Sequence, residues 1–195
     1  MKTASNIKKT SLMISGTRRI VKFCVLMVWI AVAIMANVDA QEVMTQLPQL
    51  EKMIGSWDVV SERRLSANGP WETTRGKSTI TKTVHSTLIE EDYSGTLDNK
   101  PLSIKTIIAF NRFVNKFQKI FIDSEHGMLV DYEGVKQGDS LLFDKLWTYP
   151  SKSTVKLRVV YTFISSDEFT VENMRMPENT IAWDVTGRMR YKRKK

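Results

Sequence analysis

The chain carries only two histidines, His85 and His126. His126 closes the run Asp123-Ser124-Glu125-His126-Gly127, which sets two carboxylates and an imidazole within five residues. Such a set suits metal binding or general acid–base work. A metal site needs further ligands in fixed geometry, so the expected reading of this run is a polar hairpin turn. His85 lies in Thr83-Val84-His85-Ser86-Thr87 and would serve as an axial ligand only if it faced an apolar cavity. Glu90-Glu91-Asp92 is a carboxylate cluster, but neighbouring strand residues face opposite ways. Glu90 and Asp92 then share one side and Glu91 takes the other, so a wet strand edge is expected rather than a glycosidase pair facing across a cleft. There is no G-x-S-x-G elbow and no glycine-rich phosphate loop. A lone cysteine, Cys24, excludes a disulfide scaffold and any multi-Cys cluster. No catalytic residue, metal or cofactor is assigned on these grounds. Asp123, Glu125 and His126 are the sole enzymatic candidates, which makes an enzyme the weakest of the readings.

The residues that precede this body read as an address. Residues 1–22 hold six basic groups (Lys2, Lys8, Lys9, Arg18, Arg19, Lys22) and no acid, and an uncharged run FCVLMVWIAVAIMANV follows over 23–38. Val38-Asp39-Ala40 then offers short side chains where a signal peptidase reads. The expected division is a signal peptide over 1–40 and one domain over 41–195. Export to the periplasm or the exterior follows. The alternative is an uncleaved signal that anchors the protein in the inner membrane, although the apolar run is shorter than the roughly 20 residues of a spanning helix. Cys24 leaves with the signal, as suits an oxidising compartment. Removing residues 1–40, with Asp39 their one acid, takes the formal charge from +8 to +3. The last eight residues hold six more basic groups (Arg188, Arg190, Lys192, Arg193, Lys194, Lys195), and without them the body stands at −3. A nucleic-acid surface is therefore not expected. The basic terminus is read as a solvated tail, with weak contact to a membrane surface as a secondary expectation.

The body has the period of strands. Leu47, Leu50, Met53 and Ile54 predict a short helix over 43–54, with Pro48 in its first turn and Gly55 after it. Beyond Gly55 the period is two, as in Leu102-x-Ile104-x-Thr106-x-Ile108-x-Phe110 and Val155-x-Leu157-x-Val159-x-Tyr161-x-Phe163. Ile181-x-Trp183-x-Val185, continued to Met189 and Tyr191, reads the same way. Turn signals such as Asp98-Asn99-Lys100-Pro101 and Gln137-Gly138-Asp139 separate about ten strand candidates. Connections this short allow hairpins and exclude parallel crossovers. The expected fold is all-β, an antiparallel up-and-down barrel of about 8–10 strands.

Gly55-Ser56-Trp57, placed after the helix at the start of the first strand, resembles the opening of lipocalin-like (calycin) barrels. Tyr93-Ser94-Gly95, Phe110-Asn111, Asp123-Ser124, Tyr132-Glu133-Gly134 and Tyr191-Lys192-Arg193 are similar to the motifs of a bacterial lipocalin-like family of uncharacterised function. The resemblance implies a tryptophan plugging the barrel base under an arginine from the last strand. Arg188, Arg190 and Arg193 are the candidates, with Arg190 standing for the group beside Gly55 and Trp57, and strand parity does not choose among them. Some ten-stranded haem-binding barrels ligate through a late histidine, and no histidine follows His126 here.

Two uses of the inward faces remain open. Phe110, Phe121, Trp147, Leu157, Tyr161, Phe163, Trp183 and Val185 would line a site for a small hydrophobic ligand. Alternatively they fill a solid core, and the protein acts as an envelope-associated interaction or structural protein. Interior volume separates the two.

Overall fold

Polar–apolar alternation produces ten strands; the predicted runs form them, except that Ile181 and Trp183 lie ahead of the last strand, which starts at Asp184. The computed structural model describes residues 48–64, 66, 68–83, 88–124, 127–178 and 180–195, which belong to one unit, Gln46–Lys195. The strands are β1 (Gly55–Arg63), β2 (Glu72–Thr83), β3 (Leu88–Leu97), β4 (Lys100–Asn111) and β5 (Lys116–Asp123). They continue as β6 (Leu129–Gln137), β7 (Ser140–Thr148), β8 (Thr154–Phe163), β9 (Glu168–Pro177) and β10 (Asp184–Arg193). Each pairs antiparallel with its sequence neighbour, and β1 pairs with β10 to close the barrel. Closure removes the free edges that would invite association. Residues 48–53 are helical, and Gly55 opens the first strand two residues later. The predicted helix residues 43–47, the signal, Cys24, His85, Glu125 and His126 lie outside the described residues. Among the described residues no helix is long and apolar enough to cross a membrane.

The up-and-down order gives the barrel two unlike ends. Gly55 and Arg193 stand at one end, called the base, with the helix; Arg63, Asp98-Asn99 and Asp184 stand at the other, called the mouth. Asp98 and Asn99 both take positive φ, 51° and 61°, as a two-residue hairpin with the matching twist requires.

Two irregularities govern what faces inward. β10 pairs Gly187 with Asn173 but Asp184 with Arg175, so the register shifts between Val185 and Gly187. This bulge moves the alternation by one residue. Asp184 then stands opposite Arg175, and Val185 is displaced to the row of Met174. The second irregularity is a short ladder. β6 pairs with β7 only from Glu133↔Asp144 to Gln137↔Ser140, and toward the mouth the two strands part. Lys145 spans the interval to Asp131 at 2.6 Å.

The basic C-terminus is not a free tail. Arg188 pairs with Glu172, Arg190 with Glu168 and Arg193 with Asp167, all from β10 or its end. Only Lys194 and Lys195 lie beyond the strand, because the last ladder must reach β1 to close the barrel.

Candidate functional site: the mouth of the barrel

The base is filled. Trp57 is 1% exposed and donates its indole N–H to the Met53 carbonyl at 2.8 Å. Phe169 meets it edge-on with centroids 4.8 Å apart, and Tyr191 stacks on Phe169 at 4.2 Å. Phe110, Phe117, Phe143 and Tyr161 continue the aromatic packing across the barrel. Arg193 lies 4.3 Å above the Trp57 ring and donates to the carbonyls of Ile54, Lys52 and Ser166. It thus ties the helix and the β8–β9 turn to the plug through charge-assisted bonds. The other two candidate arginines sit elsewhere: Arg188 stacks on Trp71, and Arg190 pairs with Glu168 on the outer surface. The arginine over the plug is therefore Arg193, and Arg190 is not part of that arrangement.

The interior turns polar halfway up. Glu91 of β3 is 4% exposed, and its Oε1 accepts from Ser78 at 2.8 Å and from the Tyr191 hydroxyl at 2.9 Å. Burial raises its pKa, and these bonds, Thr106 and the charge of Lys119 act against that rise. Lys119 of β5 is 3% exposed, with its ammonium 4.6 Å from the Tyr132 ring centroid and 5.0 Å from that of Phe121. Burial lowers its pKa from 10.5 to about 8, and Glu91 opposes the change. Tyr132 is pushed up to about 12 by burial, and burial also raises Tyr93.

Above this layer the described residues leave space inside the barrel. A cavity of about 280 Å³ lies at the mouth, with Lys119, Tyr93 and Tyr132 among its walls. Leu97, Leu102, Ile104, Phe121 and Met189 supply the apolar wall, and Ser61, Thr74 and Asn173 add hydrogen-bonding groups. Asp123 also borders it and is 7% exposed. Tyr93 depends on Gly76 and Gly95: a Cβ at either would run into its ring or hydroxyl. That clearance explains the Tyr93-x-Gly95 spacing. Among the described residues no three His, Cys, Asp or Glu side chains converge as a metal site.

Of the ligand-lining residues expected from sequence, only Phe121 borders this cavity. Phe110, Tyr161 and Phe163 are buried among other rings, 4%, 3% and 8% exposed. Trp147 is half-buried in β7 opposite Val155. Leu157 and Trp183 border an outer depression over the parted β6–β7 edge, and Arg158 stacks on Trp183 at 4.5 Å. Val185 is carried off the inward row by the bulge. Sequence reasoning did not name Lys119, took Glu91 only as part of a wet carboxylate cluster and quoted Tyr93 and Tyr132 only as motifs of the resemblance, whereas Glu91 is buried inside the barrel. The signal was present in Phe117-x-Lys119-x-Phe121 and Ile89-x-Glu91-x-Tyr93, where charged residues occupy inward positions of otherwise apolar rows.

Residues 45–193 match the family described as protein of unknown function (DUF1579). The chain belongs to the DUF1579 family. No curated protein matches the sequence significantly. Among solved structures, the fold is similar to an S-type phycobiliprotein lyase from Guillardia theta, at TM-score 0.51 and 14% identity over 75% of this chain and 90% of the other. It is also similar to Rv2717c from M. tuberculosis, at TM-score 0.54 and 12% identity over 76% of this chain and 97% of the other. At these identities the likeness is one of fold, a closed antiparallel barrel.

Proposed function

We propose that this DUF1579 protein is exported and binds a small, largely apolar molecule in the cavity at the barrel mouth. The observation that carries the reading is the unequal filling of the interior. The base is packed with aromatic rings, whereas the mouth keeps about 280 Å³ between an apolar wall and a polar one that includes Glu62, Arg63, Asp123 and Arg188. That volume lies just under the roughly 300–1,000 Å³ of small-molecule sites, and Leu97, Leu102, Ile104, Phe121 and Met189 give it the apolar wall such sites use. A filled-core interaction protein would have no use for the void. Export rests on the basic, apolar and small-residue succession of residues 1–40.

The test is to express the full chain in a bacterium, purify the form that accumulates and read its N-terminus by mass spectrometry. Organic extraction and titration with an apolar fluorescent probe follow. The expected results are an N-terminus at Gln41 in the exported fraction and saturable uptake of one probe per chain. An intact N-terminus in the cytoplasm defeats the export half. Absence of both co-purified ligand and saturable uptake defeats the binding half.

A further inference from the structure

Resting on that binding reading, we infer that the ligand is uncharged and presents a carbonyl oxygen to the Lys119 ammonium at the floor of the cavity. Lys119 is an unusual residue to find inside a barrel, since a buried ammonium needs both a counter-charge and hydrogen-bond acceptors. It has the first. Glu91 stabilises its charge electrostatically, and the Glu91 carboxylate is itself held by Ser78 and Tyr191. It lacks the second: among the described residues its neighbours are the faces of Tyr132 and Phe121, and no oxygen accepts a hydrogen bond from Nζ. Both rings attract the cation without taking a proton donor into an in-line bond. The side chain is 97% buried by its 3% exposure, and the surface it retains borders the cavity.

The balance of charge decides the class of ligand. Glu62, Arg63, Asp123 and Arg188 also line the cavity, but both arginines are already paired, Arg63 with Asp98 and Arg188 with Glu172, so a carboxylate entering it would set a second buried anion beside the Glu91 and Lys119 pair. Desolvation disfavours that surplus negative charge. A hydrocarbon would leave Nζ without an acceptor. A ketone, ester or amide oxygen satisfies the donor and leaves the charge unchanged, while its apolar body lies against Leu97, Leu102 and Ile104.

Three probes of one skeleton test this by equilibrium dialysis against the purified full-chain product: acetonaphthone, isopropylnaphthalene and naphthoate. The ketone should bind at least about tenfold more tightly than the hydrocarbon, the usual worth of a hydrogen bond from a charged donor. Naphthoate should bind more weakly than the ketone. In Lys119→Met the ketone should lose its advantage and the hydrocarbon should bind as before. Because that variant leaves Glu91 uncompensated, Lys119→Met with Glu91→Gln provides a second background, where the same loss is expected. Equal binding of ketone and hydrocarbon to the parent protein overturns the inference and leaves the cavity reading standing. Preference for naphthoate overturns it in favour of an acidic ligand. Failure of all three probes removes the cavity reading and this inference with it.

Discussion

The two ends of the barrel use the same ten strands and reach opposite solutions. At the base, Trp57, Phe169 and Tyr191 pack ring on ring, and the helix over 48–53 with Arg193 seals the opening. At the mouth, Lys119, Tyr93 and Tyr132 replace hydrocarbon, Asp98-Asn99 makes a minimal turn, and the β6–β7 ladder ends early. The contrast shows that strand alternation builds a tube, while plugging either end depends on what is laid across it. The base carries the aromatic packing, and the mouth carries the cavity proposed as the binding site.

The largest expected break of that contrast is Trp57→Ala. Removing a fully buried tryptophan should cost about 3–5 kcal/mol, whereas Leu102→Ala at the half-exposed mouth should cost no more than about 1 kcal/mol. Urea midpoints measure both, and equal losses would dissolve the division between the two ends.

The buried charge sharpens the contrast through pH. Lys119 titrates at about 8 in the folded protein and at 10.5 when unfolded. Between those values the unfolded chain binds more protons, so this group makes stability rise with pH. The stability of the parent protein minus that of Lys119→Met should therefore climb from pH 8 to 10, by on the order of 2 kcal/mol. The buried tyrosines are common to both proteins, and because removing Lys119 also raises the Glu91 carboxyl further, the same difference is taken in a Glu91→Gln background, where the climb should persist. A flat or falling difference would mean that Lys119 is not buried at the cavity floor.

The smallest separation lies between two arginines of β10. Arg193→Met removes several charge-assisted bonds to carbonyls and should cost about 1.5–2 kcal/mol. Arg190→Met removes an outer pair with Glu168 and should cost less than about 1 kcal/mol. Thermal denaturation of the pair checks the assignment of the plug arginine, and the reverse order would return the role to Arg190.

Much of the fold was legible because its determinants are local. A strand alternates faces every residue, so Val155 to Phe163 declares itself without any knowledge of its partners. Asp98-Asn99 marks a turn because those side chains tolerate left-handed backbone. The site was less legible. Trp183 and Val185 read as inward by parity, but Trp183 precedes the strand and stacks under Arg158, and a bulge that exists only in the pairing of β10 with β9 moved Val185. Phe110, Tyr161 and Phe163 do face inward, but their height along the barrel, which no strand contains by itself, sets them among other rings. Lys119 and Glu91 were visible as charges in apolar rows, yet their meeting joins β5 to β3 across the interior.

What the amino-acid order determined alone is therefore the list of strands, their turns and the all-β antiparallel class, since sterics and side-chain alternation act between near neighbours. The tertiary structure decided which arginine covers the tryptophan, which end stays open and which residues border the cavity. Those outcomes depend on stagger and closure, where one displaced residue in one ladder changes what every later side chain faces.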